Sequence, residues 1–599
     1  ELRTERLARF FKAFQDSLSS LDAKQSGERR IALLASSPDS ERRAEDAILS
    51  RYLGFQLVEN DDLSIRRQQT YLKTLGGLKR IDAILRRVDD GLCDPLELRI
   101  ESGEGCSGLI MAMRAGNVAI ANALGSGVLE APLFRAFLPK IAKSLLGEEL
   151  LLPCVPCKWL GDDEAWTEAQ AKPESFAFRH AFGAGPLHEY ASLTPVAQLS
   201  LLDEISKDPS KWIAEQHVEN SCSPVWTGDS WRSARVSIRL FTTLLPDGSA
   251  QVMPGGLGSY AIVNDLSGRR GEKDVWVLSQ KPVPYFSLLA PADQPVRLSR
   301  AGGDLPSRTA DGLYWLGRNI EAAEFIARLA RGIALRLTDQ ALGESPELPI
   351  LLQAGFATND GRLQSDLEGA LWSLAMRQDV DGGIQKILIE VRRLAAQLRD
   401  RLSEDTWHFV HSFGEAARPD GVGSGPLLPY LSRIINDSLA FSGLASESMT
   451  RGHGWRFQEL GRRIERALRC LALLNSTLVR SLPGELAELQ LLQALLEIGD
   501  SSMTYHRRYG GRIQAAAVVD LFLCDETNPR SVAFQAARLL EESELLPPQE
   551  GEEPLISPLR RELLRLLTDL RLADVYVLVQ ERDGRRDALA RSLIDWMAS

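Results

Sequence analysis

Cysteine and histidine are scarce in this chain of 599 residues, which contains seven of each. The cysteines follow no regular spacing, a pattern typical of reduced thiols in a cytoplasmic protein rather than of a disulfide-stapled secreted domain. No histidine lies three residues after a glutamate, which excludes the Glu-x-x-His pairs of ferritin-like di-metal sites. The histidines also form no recognisable triad with serine and aspartate, so nucleophilic hydrolysis gains no support.

Long apolar runs and an excess of positive charge are also missing. No apolar run approaches the ~20 residues needed to span a bilayer, and no signal peptide is visible. The formal net charge of −11 argues against a general nucleic-acid binder, although a local basic cleft can still hold phosphates. We therefore expect neither nucleic-acid nor membrane partners. The length suggests about four domains in a globular chain.

Residues 1–132 are predicted to form an α/β domain with a leading helix. The apolar run "RIALLASS" is followed by the helical "SERRAEDAILSRYLG", and then by the strand-like "FQLVENDDL" and "RIDAILRRVDD". This order indicates a βαβ unit with a parallel sheet, in which ligands bind beyond the carboxyl ends of the strands. Arg86, Arg87 and Asp90 lie at such an end, so they are candidates for binding an anionic substrate. The alternative is a surface ion-pair cluster.

The rest of the chain divides into a β-rich region and a helical region. Residues 133–290 contain further strand patterns, such as "RSARVSIRLFTTLLPDG" and "KDVWVLSQKPV". Residues 291–306, within a stretch rich in Pro, Gly and Ala, are predicted to be a linker. From residue 307 to residue 599, apolar residues recur at i, i+3, i+4 and i+7, which predicts an all-α bundle of about eight to ten helices.

The helical region contains the same turn twice. "LYWLGRNIEAAEF" and "RFQELGRRIERAL" both carry L-G-R-x-I-E-x-A, 144 positions apart (461 − 317). Gly317 and Gly461 each cost ~1 kcal/mol inside a helix, so we expect them to permit a close helix crossing.

Two interpretations of the charged residues in this repeat stay open. In the first, each arginine pairs with the glutamate three residues later in its own helix. In the second, both copies build one buried polar centre. Arg466 has no counterpart in the first copy, where Ala322 stands, so we expect loss of Glu465 to cost more than loss of Glu321. The residues of the predicted centre are Arg318, Glu321, Arg462, Glu465 and Arg466.

Longer motifs carry two family resemblances. "LPSRTADGLYWLGRNIEAAEFIARL", "MTRGHGWRFQELGRRIERAL" and "DLFLCDETNPRSVAF" resemble the bacterial alpha-E domain from about Leu305 to Ser599. Members usually have a Glu-Arg pair in both copies, whereas the first copy here has Glu321-Ala322. "RRVDDGLCDPLELR", "AGNVAIANALGSGVLE", "PSKWIAEQHVENSCSPVW" and "VMPGGLGSY" resemble the circularly permuted ATP-grasp family over nearly all of residues 1–286. Residues 1–132 then correspond to a pre-ATP-grasp-like substrate domain, and residues 133–290 to nucleotide-binding lobes.

The ATP-grasp resemblance implies ATP and Mg²⁺ as cofactors and names a set of site residues. Arg179 stands where family members place a phosphate-binding lysine, and a guanidinium can bind phosphate bidentately. Arg239 is expected to contact the γ-phosphate, with Lys273 near the phosphates as a second catalytic cation. The hinge that receives adenine is expected at Glu215, Gln216 and Val218.

The resemblance implies an ATP-dependent carboxylate–amine ligase that forms an amide or peptide bond through an acyl-phosphate. Its substrates would be a carboxylate and an amine, with a peptide among the candidates. The family's Mg²⁺-binding motif would precede the segment that begins this chain, and the first residue is not methionine. We therefore expect a truncated chain or an ATP-grasp relic. The alternative function is a non-catalytic scaffold that binds nucleotide or peptide, with alpha-E as the surface for partner proteins.

Overall fold

A computed structural model gives the fold. It describes residues 3–21, 29–37, 40–183, 185–263, 270–288, 305–339, 345–355, 366–399, 401–414, 419, 421, 423–480, 482, 484–546, 557–582 and 584–598. Residues 291–304 of the predicted linker lie outside these ranges. Among the described helices, none combines the length and the apolar character needed to cross a membrane.

The N-terminal region is built on a four-stranded parallel sheet with strand order β2-β1-β6-β7. Strand β1 reads Ile-Ala-Leu-Leu and is buried along its whole length, as expected for a parallel strand covered on both faces. The predicted βαβ unit is confirmed as β1, α2 and β2. A separate antiparallel meander, β3-β4-β5, lies between β2 and β6 in the order of the chain. The elements are α1 (Ala8–Ser20), β1 (Ile31–Leu34), α2 (Arg43–Leu53), β2 (Gln56–Val58), β3 (Leu63–Arg66), β4 (Gln69–Thr74), β5 (Gly77–Arg80), β6 (Ala83–Arg86), α3 (Leu109–Arg114) and β7 (Ala119–Ala121).

Two four-stranded antiparallel sheets follow, with strand orders β10-β9-β11-β8 and β12-β13-β16-β17, and β14 pairs with β15 in a two-stranded antiparallel sheet. Phe178 and Trp212 of the first sheet pack with Leu201 and Ile205 of α6, which leaves the other face of that sheet for Arg179 and Glu215. The elements are α4 (Leu133–Leu146), β8 (Cys157–Trp159), α5 (Asp163–Ala171), β9 (Phe176–His180), β10 (His188–Glu189), α6 (Pro195–Lys207), β11 (Trp212–Gln216), β12 (Cys222–Trp226), β13 (Trp231–Arg239), β14 (Thr242–Leu244), β15 (Ala250–Val252), β16 (Gly255–Ile262) and β17 (Arg270–Trp276).

The C-terminal region is all helical, so the predicted fold classes of both halves are confirmed. Its described residues form fourteen helices, more than the eight to ten expected. The apolar periodicity of the sequence does not reveal helices of one or two turns, because they are too short to show a repeating apolar face. They are α7 (Ser307–Thr338), α8 (Leu348–Gly355), α9 (Leu367–Met376), α10 (Ile384–Gln397), α11 (Glu404–His411), α12 (Ser424–Ser448), α13 (His453–Leu478), α14 (Glu485–Ile498), α15 (Ser502–Tyr509), α16 (Ala515–Leu523), α17 (Val532–Ser543), α18 (Pro558–Leu572), α19 (Val575–Leu578) and α20 (Asp587–Ala598).

Helices α7 and α13, which carry the repeated turn, cross at their glycines. A Cβ atom on Gly317 would lie 2.1 Å from the carbonyl oxygen of Gln458, and one on Gly461 would lie 2.0 Å from that of Tyr314. Each glycine therefore meets the carbonyl three residues before the other glycine, as a pseudo-twofold axis requires. The predicted close crossing is confirmed.

The first turn of α7 also contacts the N-terminal region. The guanidinium of Arg308 donates hydrogen bonds to Asp62, with an Nη2–Oδ2 distance of 2.8 Å, and its Nη1 lies 3.1 Å from Glu59 Oε1. The amide of Leu75, after β4, donates to the carbonyl oxygen of Leu305. One helix thus reaches from the meander of the N-terminal region to the α7–α13 crossing.

Candidate functional site

A cleft of about 640 Å³ lies between the two antiparallel sheets. His217 and Val218, just after β11, line it on one side, together with Glu189 of β10. Strands β13, β16 and β17 provide the opposite wall. The residues of that wall are Arg235, Ser237, Ser259, Tyr260, Ala261, Arg270, Gly271 and Glu272.

Arg179 and Glu215 lie on neighbouring strands and share one face of their sheet. Arg179 is opposite Ile213, two residues from Glu215, so alternation of side chains puts both on one face. Glu215 is buried, with its Oε1 atom 3.0 Å from Arg135 Nη1 and 3.6 Å from Arg179 Nε. The Nε atom of Arg179 is buried and makes no hydrogen bond within the described residues. An unfilled donor on a partly buried guanidinium fits an anionic ligand such as phosphate.

The predicted hinge is shared between two cavities. Val218 lines the cleft between the sheets. Gln216 instead lines a second cavity of about 420 Å³, whose wall also includes Arg135 and Cys157. Two backbone amides of the hinge already make hydrogen bonds within the protein. The amide of Gln216 donates to the carbonyl oxygen of Pro156, and that of His217 donates to the carbonyl oxygen of Ser175.

Arg239 and Lys273 lie on opposite faces of the second sheet. Arg239 is opposite Leu257, and Leu257 is opposite Asp274, so the neighbour of Arg239 on its own face is Asp274. Lys273 points the other way, and its Nζ donates to the hydroxyl of Ser223 at 3.1 Å. The structure therefore does not bring the two predicted catalytic cations together.

Arg235 is a cleft residue that the sequence reasoning missed. It precedes Arg239 by four positions in β13, so both side chains lie on the face that lines the cleft. Its Nη2 atom lies 3.2 Å from Glu219 Oε1. The alternation of Arg235, Ser237 and Arg239 in "RVSIRLF" was the available signal.

Arg86, Arg87 and Asp90 take part in ion pairs within their own domain. Arg86 Nη2 lies 2.7 Å from Asp90 Oδ1, and its Nη1 donates to the carbonyl oxygen of Val88. Arg87 Nε lies 2.7 Å from Asp46 Oδ1, on α2. These contacts match the ion-pair alternative, and a role in substrate binding stays a prediction.

The glutamates of the repeated turns, Glu321 and Glu465, each form an ion pair with an arginine of the other helix. Arg318 donates to Glu465, with Nε–Oε2 at 2.8 Å. Arg466 donates through Nε and Nη2 to the two carboxylate oxygens of Glu321, at 2.6 and 2.7 Å. The first interpretation, in which Arg318 pairs with Glu321 and Arg462 with Glu465, is wrong, because the close crossing brings the partner helix's carboxylate within reach of Arg318 and Arg466. Arg462 instead pairs with Glu459, three residues before it.

Arg530 joins this polar centre from a distant part of the chain. The carboxylate of Glu324 accepts hydrogen bonds from Arg328 at 2.8 Å and from Arg530 at 2.7 Å. Burial alone raises the pKa of Glu324, but the charges of Arg530, Arg466 and Arg328 lower it to about 2. Arg530 lies in the quoted motif "DLFLCDETNPRSVAF", next to the N-cap Ser531 of α17, yet nothing in its spacing tied it to the repeat.

Magnesium ligands are not assigned by the geometry. The described residues contain no group of three or more His, Cys, Asp or Glu side chains that could hold a metal ion. The Mg²⁺ site that the family resemblance implies stays a prediction.

Comparison with known proteins identifies both halves. Residues 1–261 match the family model described as circularly permuted ATP-grasp type 2. Residues 305–598 match alpha-E, described as a predicted alpha-helical domain with a conserved ER motif. The chain therefore joins an N-terminal circularly permuted ATP-grasp region to a C-terminal alpha-E region.

Its relatives are uncharacterised proteins of bacteria. One, from Mycobacterium tuberculosis, is 32% identical over 572 residues, covering 87% of this chain and 64% of the relative. One from Mycobacterium leprae is 34% identical over 248 residues, or 39% of this chain and 43% of that protein. One from Synechocystis is 32% identical over 247 residues, or 39% of this chain and 50% of that protein. The chain thus spans less than two thirds of the length of these relatives.

Proposed function

We propose that this chain is part of an ATP-dependent carboxylate–amine ligase and that ATP binds in the cleft between its two antiparallel sheets. The observation that carries the proposal is the cleft itself. It has the end of the predicted hinge on one wall and the arginine-bearing face of β13 on the other. ATP-grasp proteins as a class bind ATP between two such lobes.

The residues at this cleft are of the types that ATP needs. His217 and Val218 offer main-chain groups at the hinge, where adenine would bind. Arg235 lines the cleft, and Arg239 lies four positions later on the same face of β13. Arg179, on the other sheet, has a buried Nε donor. We propose that these three guanidinium groups hold the phosphates. When bound, ATP would supply the γ-phosphoryl group that turns a substrate carboxylate into an acyl-phosphate with release of ADP, and an amine would then displace inorganic phosphate to give the amide.

A nucleotide-binding scaffold is the second candidate. Two observations favour it, namely the separation of Lys273 from Arg239 and the internal ion pairs of Arg86 and Arg87. In that case the alpha-E region provides the surface for partner proteins. Both candidates require nucleotide in the same cleft, so turnover separates them.

Calorimetric titration of ATP into the 599-residue chain tests the cleft. Arg179→Ala and Arg239→Ala should each weaken ATP binding by about 2 kcal/mol or more, roughly 30-fold, because each removes a charge-assisted contact. Arg232→Ala is the matched control, since Arg232 belongs to β13 but faces away from the cleft.

Unchanged affinity in both variants would remove these arginines from the site. ADP release by the same 599-residue chain, with a carboxylate peptide and an amine present, distinguishes the ligase from the scaffold. Tight ATP binding without any ADP release across a panel of such pairs would support the scaffold.

A further inference from the structure

One part of the polar centre of the alpha-E region, around Glu321 and Glu324, holds more positive than negative charge. The side chains of these two buried glutamates are 3% and 2% exposed. They face three guanidinium groups, so the group carries one uncompensated positive charge. Asp500 lies 3.4 Å from Arg328, but its side chain is 66% exposed, so water weakens its effect. The three arginines are Arg328, Arg466 and Arg530.

The three guanidinium groups border a small cavity. The cavity measures about 40 Å³, and its lining also includes the carboxylate of Glu321. The rest of the wall is largely apolar, formed by residues such as Phe325, Leu473, Leu495 and Phe522. This volume exceeds the ~15 Å³ that one water needs. Glu321 is already paired with Arg466, and three guanidinium groups against one carboxylate leave the lining cationic, which suits an anion.

We propose that this cavity binds the carboxylate group of a ligand, held by Arg530, Arg466 and Arg328. Arg466 already donates through Nε and Nη2 to Glu321, while Arg328 and Arg530 each use one donor on Glu324. The remaining N–H donors of Arg328 and Arg530 would therefore bind the ligand's carboxylate, with the charge of Arg466 in support. A single bound carboxylate would also neutralise the net charge of the buried group. This site lies in the alpha-E region and is independent of the proposed ATP cleft.

The electrostatics of Arg530 agree with an unfilled anion site. Burial lowers the pKa of this guanidinium, and the neighbouring charge of Arg466 lowers it further, while Glu324 and Glu321 only partly oppose the change. An added anion beside Arg530 would reverse that effect. A tetrahedral phosphate dianion would bring more charge than the single excess positive charge requires, so a monovalent carboxylate is the better fit.

Binding of ¹³C-formate to the 599-residue chain, followed by NMR line width at constant ionic strength, tests this site. The wild-type chain should broaden the formate signal, and Arg530→Gln should weaken binding about tenfold, as expected for loss of a charge-assisted hydrogen bond. Arg571→Gln is the matched control, because Arg571 pairs with Glu526 on the exposed surface and should leave formate binding unchanged.

A second variant guards against a folding defect in Arg530→Gln. Leu473→Phe should reduce formate binding by filling the cavity while keeping all three arginines. Absence of broadening with the wild-type chain would overturn the proposal, as would equal broadening with Arg530→Gln. Displacement by chloride at the same concentration as formate would also overturn it, because the site would then hold any small anion. Formamide, the neutral counterpart of formate, should not compete.

Discussion

Glu321 and Glu465 occupy the same place in the two copies of the repeated turn, but their partners differ. Glu321 accepts two hydrogen bonds from Arg466, whose side chain is 13% exposed. Glu465 pairs with Arg318 and Arg469, whose side chains are 23% and 28% exposed. The two partners of Glu465 can therefore turn to water if the carboxylate is lost, whereas Arg466 has less access to solvent.

This difference reverses the order of stability effects expected from the sequence alone. We predict that Glu321→Gln destabilises α7 and α13 by about 3 kcal/mol, since it leaves a buried guanidinium without its carboxylate. Glu465→Gln should cost about 1 kcal/mol, because its two arginine partners are 23% and 28% exposed and can be solvated. Native-state hydrogen exchange in peptides from the two helices measures both values. Equal losses, or a larger one for Glu465→Gln, would contradict this assignment of partners.

The sequence predicted the members of the polar centre better than it predicted their contacts. All five predicted residues lie at or beside the crossing, because the repeat fixes where the two helices meet. The pairing of Arg466 with Glu321 depends on the distance between the helix axes, which no spacing along one helix reveals. Arg530 lies 206 positions from its partner Glu324, so only the folded chain joins them.

At the scale of elements, the α7–α13 crossing depends on two glycines. Replacing Gly317 or Gly461 by alanine would place a methyl group about 2 Å from a backbone carbonyl of the other helix. Backbone cannot rotate away as a side chain can, so the helices must separate. This separation would also disturb the ion pairs that span the crossing.

We predict that Gly317→Ala and Gly461→Ala each destabilise the helical region by about 3 kcal/mol, which is the upper end of the usual cost of overpacking a protein core. Thermal unfolding followed by far-UV circular dichroism measures the effect. Gly443→Ala is the matched control, because Gly443 lies in α12 with no atom within 4 Å of its added Cβ. That variant should gain about 1 kcal/mol from helix propensity. A stabilising effect at Gly317 or Gly461 would show that the crossing is looser than described.

In the sheets, too, the sequence predicts the elements but not how their side chains face one another. The apolar run of β1 and the helical pattern after it were enough to predict the βαβ unit. The opposite orientations of Arg239 and Lys273 were not predictable, because they depend on the register of β13, β16 and β17. A shift of one residue in the pairing of β17 with β16 would put Lys273 on the same face as Arg239.

At the scale of the whole molecule, α7 connects the two halves of the chain. Its first turn carries Arg308, which binds Asp62 and Glu59 beside the meander, and its middle carries the polar centre. Arg43 also contacts Glu59, at 2.7 Å. Burial nevertheless raises the pKa of Glu59, even with Arg308 and Arg43 beside it. Two buried carboxylates thus depend on the charge that α7 supplies.

We predict that Arg308→Gln weakens the contact between the halves without unfolding the helical region. Asp62 is fully buried, so loss of its guanidinium partner should cost about 3 kcal/mol. Hydrogen exchange should become faster in residues 63–80, including the amide of Leu75 that donates to Leu305, and should stay unchanged around Gly317 and Gly461. Arg114→Gln, which removes an exposed ion pair with Glu97, is the control and should change neither region. Faster exchange at the α7–α13 crossing in Arg308→Gln would mean that the first turn of α7 supports the helical region itself, rather than its attachment to the N-terminal half.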